Sequence, residues 1–145
     1  MKLKISTPSQ VIYQGEIKEI SLPSENGVIN VSGSSVPMVV SLNPWIIRIL
    51  PVEIKPGFVV TWNEISISTS KWMAFVDGKI VRIVTSEATV YPQLSANKLN
   101  QTKEDLEQQI RKLKIKWSIE EIERLLIQLQ KINADIKLEK MKHLA

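Results

Sequence analysis

Cys and His, two side chains that enzymes often use for nucleophilic or metal chemistry, are nearly missing from this 145-residue sequence. It contains no Cys, which excludes thiolate nucleophiles, thiolate metal sites and disulfides. Its single His, His143, is almost the last residue, so neither a Ser-His-Asp triad nor a multi-histidine metal site is expected. The acidic group Glu120, Glu121 and Glu123 suits the first turn of a helix, where carboxylates favour the dipole. We therefore expect no enzymatic activity and no bound metal.

The densest charged feature is the basic run Arg111-Lys112-Leu113-Lys114-Ile115-Lys116. Such a run is usually a solvated helix face, and cations near a helix C-terminus also favour the helix dipole. The functional alternative is that it docks to an acidic segment of a partner. The run has no interleaved aromatic residues and the net charge is only +4, so nucleic acid is not an expected partner.

The elements that carry these residues divide the chain near Pro92. All five Gly and all seven Pro lie at or before Pro92, and the remaining residues contain neither. Because Gly and Pro favour turns and interrupt helices, the first part must turn often and the second part hardly at all. We therefore predict one domain over residues 1–90 and a second over residues 91–145.

Residues 1–88 contain β-branched runs that are interrupted by turn residues every 8 to 12 positions or so, a spacing typical of antiparallel sandwiches and barrels. Asn26-Gly27 and Asp77-Gly78 are strong signals for tight turns between strands. The pattern predicts an antiparallel β-sandwich of about ten short strands. Most of its apolar residues should be core. Three tryptophans could belong either to the core and domain interface or to a binding surface: Trp45, Trp62 and Trp72.

Two apolar stripes at helical spacing follow the strand-rich part. Ser118-Ile119-Glu120-Glu121 has the form of a capping box between them, so the second helix should begin there. Packed together, the stripes would form a closed antiparallel helical hairpin and complete an α+β fold. The stripe within 122–136 could instead bind a second copy as a coiled coil, which would make the chain a free-standing binding module. The stripes comprise Leu99, Leu106, Ile110, Leu113 and Trp117, then Ile122, Leu126, Leu129, Ile132 and Ile136.

A β-sandwich followed by two helices resembles the epsilon subunit of the rotary F-type ATP synthase. That family has a stretch similar to G-E-L-G-V-L-P-G-H-A-P-L, followed by an apolar run and L-K-P-G-V-V-R-I. Residues 27–38 and 42–49 follow this pattern without a gap. The opening segment 4–17 and the hairpin 77–88 are also similar to family motifs. The positions in register are Gly27, Val31, Pro37, Leu42, Pro44 and Arg48.

Some positions depart from the family pattern. The family's Gly after the second Pro is Trp45, and its His is Ser35. In some bacterial members, an Asp and an Arg at the start of the first helix bind ATP. The matching positions here are Ser95 and Lys98, flanked by Leu94 and Leu99, so no cofactor is expected. These departures, and a composition rich in Ile and Lys that is typical of AT-rich genomes such as those of mollicutes, also fit a specialised F-type-like ATPase motor without proton-driven ATP synthesis.

The resemblance implies a non-catalytic subunit of the central stalk. In the family, the sandwich binds the gamma subunit and rests on the membrane rotor ring, so that the subunit turns with the rotor. The sequence has no apolar run of membrane-spanning or signal-peptide length, which favours a soluble cytoplasmic protein, peripheral on the cell membrane as part of its complex. The candidate contacts with the rotor ring are Glu25, Asn26, Gly27, Val28, Gly33, Ser34 and Ser35.

The resemblance also implies a regulatory role for the two helices. In the family they either fold on the sandwich or extend along gamma into the catalytic head of alpha and beta subunits, and so can regulate ATP hydrolysis. In the extended form, basic residues face an acidic segment of the beta subunits. The contact candidates carried over to this sequence are Arg111, Lys112, Lys114, Lys116, Arg124 and Lys131.

Overall fold

The computed structural model describes residues 1–33, 36–116 and 118–144 and contains ten strands followed by two helices. The first five strands are β1 (Lys2–Ser6), β2 (Val11–Ser24), β3 (Gly27–Ser32), β4 (Met38–Leu42) and β5 (Trp45–Pro51). The next five are β6 (Val59–Thr61), β7 (Glu64–Thr69), β8 (Trp72–Val76), β9 (Ile80–Thr85) and β10 (Ala88–Thr89). The helices are α1 (Ala96–Lys116) and α2 (Ile119–Lys142).

The strands form one continuous ladder in the order β1-β9-β8-β4-β2-β5-β7-β10, with β3 beside β2 and β6 beside β7. The long strand β2 belongs to both halves of the sandwich, because its first half pairs with β1 and its second half pairs with β3 and β5. A register shift between Ile17 and Glu19 lets it bend from one half to the other. The predicted sandwich is confirmed, with one difference: β1 and β9 pair in parallel.

The core of the sandwich consists of alternating apolar residues that each strand turns inward. Leu3 and Ile5 in β1 are fully buried, whereas Lys2 and Lys4, which alternate with them, point outward. The predicted turns are present, since β2 and β3 are joined by two residues and Gly27 adopts a φ of +111°. A positive φ of this size strains residues with a Cβ, which explains the glycine at this position.

The two helices form a closed hairpin, as predicted. Leu106 and Ile110 of α1 pack with Leu125 of α2, together with half-buried Leu113 and Leu129. Helix α2 in turn packs on β5, β6 and β7 of the sandwich. Helix α2 therefore lies between the sandwich and α1.

Two details of the helix prediction are wrong. Helix α2 begins just after Ser118, but the Ser118 side chain makes no capping hydrogen bond, because its backbone (φ −84°, ψ 79°) is not in the usual extended N-cap conformation. On α2, Leu125 is buried and Leu126 is 42% exposed, the reverse of the predicted stripe. The buried face of α2 is rotated relative to the predicted stripe because α2 packs against α1 and against the sandwich at the same time. Trp117 lies outside the described residues.

The three tryptophans of the strand-rich part are exposed rather than core. The exposed fraction is 41% for Trp45, 52% for Trp72 and 93% for Trp62. Trp62 and Asn63 both have positive φ and form the two-residue turn between β6 and β7, which points the indole away from the core. The prediction that these aromatics belong to the core is therefore wrong, and the alternative that they form a binding surface stays a prediction.

Candidate functional site

The outer face of β4, β8 and β9 carries apolar side chains that the sandwich core does not use. Val39 of β4 lies opposite Phe75 of β8, and Met73 of β8 lies opposite Val84 of β9. Val39 is 60% exposed and Phe75 is 43% exposed. With Pro37 and Ile80 at its rim, this surface forms a groove of about 710 Å³. We call it the apolar groove.

Cationic side chains continue the same face beyond the apolar groove. Phe75 is opposite Arg82, Arg82 is opposite Lys4, and Lys4 is opposite Gln14, so these residues form one row across four strands. Arg82 and Lys4 are both exposed. An exposed apolar patch beside exposed cations is typical of a surface that binds a partner carrying apolar and acidic side chains.

The candidate rotor-ring turn is an exposed hairpin held in one conformation by its own polar groups. The Ser24 hydroxyl donates to the Gly27 carbonyl, and the Asn26 N–H donates to the Ser24 Oγ. Glu25 Oε1 accepts a hydrogen bond from Ser41. The predicted contact residues Glu25, Asn26, Gly27 and Val28 are all exposed in this hairpin, as is Gly33 in the next loop. Ser34 and Ser35 lie outside the described residues.

The basic run lies at the free end of the helical hairpin. Arg111, Lys112, Lys114 and Lys116 are exposed in the last turns of α1, and Arg124 is exposed on α2. Apolar side chains are interleaved with them, since Ile115 is 81% exposed and Ile119 is 63% exposed. The free end of the hairpin is thus both cationic and apolar, and we call it the hairpin tip.

Lys131 does not belong to the hairpin tip, although its charge suggested that it would. It is only 3% exposed and lies where α2 meets the sandwich. Its Nζ atom is 2.7 Å from Asp135 Oδ1, and it donates to the Thr89 hydroxyl at 3.0 Å. Lys131 is therefore unavailable to a partner while the hairpin is closed.

The start of α1 is an ordinary helix cap. Ser95 Oγ accepts a hydrogen bond from the Lys98 N–H at 3.3 Å, the geometry of an N-cap residue. Leu94 and Lys98 are exposed, and Leu99 is buried. These residues position α1. Ser95, which the sequence analysis matched to the family's Asp, therefore has a structural role.

Two ionisable groups, Asp77 and Tyr13, have pKa values that are shifted by contacts within the fold. The backbone N–H groups of Ile80 and Lys79 donate to the Asp77 carboxylate and lower its pKa, which stabilises the turn between β8 and β9. Burial raises the pKa of Tyr13, whose ring packs edge-on against Phe58 at 5.5 Å. Among the described residues, no cluster of His, Asp and Glu is arranged to hold a metal ion.

No helix in the described ranges is long and apolar enough to cross a membrane.

The sandwich carries two of the exposed surfaces described above, the apolar groove and the 25–28 hairpin, and the helices add the hairpin tip. Fold and surfaces together define an interaction subunit built from a β-sandwich and a two-helix hairpin.

Residues 1–91 match the family described as ATP synthase, Delta/Epsilon chain, beta-sandwich domain, and the chain therefore belongs to this family. It is similar to the ATP synthase epsilon chain of Nitratiruptor sp., with 30% identity over 68% of this chain and 77% of the relative. It is also similar to the ATP synthase epsilon chain of Sulfurimonas denitrificans, with 29% identity over 74% of this chain and 79% of the relative. The resemblance found in the sequence is confirmed.

Solved structures support the same fold. A chain in the Euglena gracilis mitochondrial ATP synthase, a structure of OSCP, F1 and the c-ring, superposes with a TM-score of 0.68 and 20% identity, covering 91% of this chain and 76% of that chain. A chain in the central stalk and c-ring of the Tetrahymena thermophila mitochondrial ATP synthase superposes with a TM-score of 0.52 and 11% identity, over 68% of this chain and 69% of that chain.

Proposed function

We propose that this chain is a non-catalytic epsilon-type subunit of the central stalk in an F-type rotary ATPase, where it joins the gamma subunit to the membrane rotor ring. The observation that carries the proposal is the family match over residues 1–91, the part of the chain that bears the apolar groove and the 25–28 hairpin. As part of such a complex, the subunit is peripheral on the cytoplasmic face of the cell membrane.

The apolar groove is the proposed gamma-binding surface. Val39, Met73 and Phe75 offer an exposed apolar strip that would be buried by a partner, and Arg82 and Lys4 offer cations at its edge. Burying exposed apolar area at the centre and leaving charge at the rim is the usual anatomy of a stable interface. The gamma surface that fits here has an apolar strip flanked by carboxylates.

The 25–28 hairpin, with Gly33, Ser34 and Ser35, is the proposed contact with the rotor ring. The hydrogen bonds of Ser24 and Ser41 hold the hairpin in place, so it loses little conformational freedom on binding. Glu25 and Val28 are the exposed charged and apolar groups at its tip.

The hairpin tip is the proposed contact with the catalytic head when the helices extend. Arg111, Lys112, Lys114, Lys116 and Arg124 are already exposed and would face an acidic segment of the beta subunits. Lys131 joins them only after α2 has left the sandwich. This arrangement supports a regulatory role in ATP hydrolysis, with residues 1–90 as the rotor-binding domain and residues 91–145 as the movable domain.

Affinity purification of the tagged chain from native membranes tests the complex. We expect the alpha, beta and gamma subunits to co-purify together with the rotor ring. Recovery of alpha, beta and gamma without a proton-conducting rotor ring would indicate a specialised ATPase motor instead. A chain that purifies alone would contradict the proposal.

The variant Phe75→Glu tests the apolar groove within that experiment. Placing a carboxylate in the buried centre of an interface should reduce gamma recovery at least about tenfold. Ile54→Glu is the matched control, because Ile54 is exposed to a similar extent (49% against 43% for Phe75) but lies in the loop after β5. Equal loss of gamma in both variants would show that the groove is not the gamma-binding surface.

Crosslinking from position 111 tests whether the helices extend to the catalytic head. A Cys introduced at Arg111 is the only thiol in the chain, so a heterobifunctional crosslinker placed there reports a single position. We expect crosslinks to a beta subunit under at least one nucleotide condition, either in ADP or with ATP regenerated. Crosslinks confined to the sandwich under both nucleotide conditions would contradict extension.

The alternative of a free-standing coiled-coil module is disfavoured by the helix packing. The apolar residues of 122–136 are used by α1 within the same chain, since Ile122, Leu129 and Ile132 pack against the cluster of Leu106 and Ile110. We therefore expect a monomer in sedimentation of the isolated chain.

A further inference from the structure

Charged residues line the face of α2 that lies on the sandwich. Lys131, Asp135 and Glu139 follow one another at intervals of four residues and are 3%, 9% and 7% exposed. Lys, Asp and Glu are almost never buried unless they are paired. Such a stripe beneath a helix therefore requires specific partners on the surface that it covers.

Glu139 pairs at the end of its own helix, with its Oε1 atom 2.6 Å from His143 Nε2, whereas the sandwich supplies partners for Lys131 and Asp135 from β7 and from the segment around β10. Ser68 of β7 donates to Asp135 Oδ1 at 2.7 Å, and Lys131 donates to the same carboxylate oxygen at 2.7 Å. Lys131 also donates to the Thr89 hydroxyl of β10 at 3.0 Å and lies 3.9 Å from Glu87. One buried cluster thus ties α2 to two strands.

The apolar part of the same interface is small. Ala134 and Leu138 of α2 pack with Ile46 and Val59 of the sandwich, and Met141 adds a half-buried side chain. This patch resembles the modest, partly polar interfaces between domains that move relative to one another. The buried cluster therefore has a large share in deciding whether α2 stays on the sandwich.

We propose that Lys131, Asp135, Ser68 and Thr89 form a latch on which closure of the helical hairpin depends: the hairpin stays on the sandwich while the charges of Lys131 and Asp135 are paired, and it opens when either charge loses its partner. The inference concerns the isolated chain and is independent of the partners proposed above.

The physical basis is the cost of a buried charge that has lost its partner. An ion pair in a dry interface contributes little net stability when intact, but removal of one member leaves the other charged and unsolvated, which is strongly destabilising. The latch should therefore act in an all-or-none manner. When both charges are paired, the closed hairpin is stable; when one member is missing, the interface opens so that the remaining charge can be hydrated.

Hydrogen exchange of the isolated full-length chain tests the latch, with variants that change charge at nearly constant size. Lys131→Met should accelerate amide exchange in residues 131–141 of α2 and in β7 by at least about tenfold. Amides of β1 and β9 should keep their wild-type rates, because they lie in the core of the sandwich away from α2. Lys140→Met is the matched control: it removes an exposed Lys from the same helix and should change no rate.

The double variant Lys131→Met with Asp135→Asn distinguishes a latch from simple loss of packing. It leaves no buried charge and keeps an acceptor for Ser68, so its α2 exchange should return most of the way to the wild-type rate. Faster exchange in the double variant than in Lys131→Met would overturn the proposal, as would unchanged α2 exchange in Lys131→Met.

Ser68→Ala is a second, milder variant that still tests the latch if Lys131→Met unfolds the whole chain. It deletes one hydroxyl from the latch and leaves a buried carboxylate with one hydrogen bond fewer, so α2 should exchange several-fold faster while β1 and β9 do not change. Unchanged α2 exchange in Ser68→Ala would then refute the latch.

Discussion

At the scale of single residues, the chain uses its ionisable groups for structure. Asp77 accepts two backbone hydrogen bonds in the turn between β8 and β9. Ser95 accepts the capping hydrogen bond at the start of α1. Lys131 and Asp135 neutralise each other beneath α2. Each of these groups stabilises one local conformation, and none lies among neighbours that would suit proton transfer or metal binding.

Asp77 makes a pH-dependent contribution whose sign follows from its lowered pKa. A carboxyl with a lower pKa in the folded state stabilises the protein fully above its unfolded value of 3.8, and this stabilisation is lost as pH falls through the folded-state pKa. Asp77→Ala should therefore lower the urea midpoint at pH 7, and the difference from wild type should shrink below about pH 4.

Glu53→Ala is the control for this comparison, because Glu53 is an exposed carboxylate in a loop. Its urea midpoint should stay close to that of the wild type at each pH. A difference between Asp77→Ala and wild type that grows on acidification would contradict the assignment.

At the scale of elements, two serines that precede helices have different roles. Ser95 makes the capping hydrogen bond of α1, whereas Ser118 makes no side-chain capping bond before α2. Ser95→Ala should therefore destabilise the chain by about 1 kcal/mol in urea denaturation, and Ser118→Ala by less than about 0.5 kcal/mol. Equal effects of the two substitutions would show that the helix caps are not as described.

The rotated face of α2 leads to a second comparison at this scale. Leu125 is 6% exposed and packs with Leu106 and Ile110, whereas its neighbour Leu126 is 42% exposed. Leu125→Ala should cost about 2 to 4 kcal/mol, and Leu126→Ala less than about 1 kcal/mol. Differential scanning calorimetry of the two variants measures this, and a larger loss for Leu126→Ala would favour the stripe predicted from sequence.

At the scale of the whole molecule, the sandwich and the helices have separate cores. The sandwich cluster draws its buried residues from strands within residues 3–83, and the hairpin cluster draws its own from α1 and α2. The two parts meet through α2, with the latch and a small apolar patch. Each part can therefore keep its internal packing when the other moves.

The proposed domain boundary at residue 90 leads to a test of this independence. A fragment comprising residues 1–90 should fold cooperatively and keep the β-sheet circular dichroism of the full chain, because its core cluster is complete without the helices. The free energy of unfolding of the fragment should be lower than that of the full chain, because Ile46 and Val59 are no longer buried by α2. A fragment without a cooperative thermal transition would show that the helices are part of one folding unit.

Much of the architecture was predictable because it follows from local patterns. The Gly and Pro distribution placed the change from strands to helices near Pro92, and the structure ends β10 at Thr89 and begins α1 at Ala96. The Asn26-Gly27 turn follows from the φ that only a few residue types tolerate. The parallel pairing of β1 with β9 could not be predicted in this way, since it joins segments far apart in the sequence.

The sequence by itself determined the order of elements, the two amphipathic helices and the absence of cysteine chemistry, because turn preferences and hydrophobic periodicity are properties of neighbouring residues. Only the tertiary structure decided which charges are buried. Lys131 and Arg111 look alike as basic residues on helices, but Lys131 lies against Thr89 and Asp135 whereas Arg111 is exposed to water. Burial depends on which surface a helix covers, and that choice is made by the sandwich through contacts more than 40 residues away along the chain.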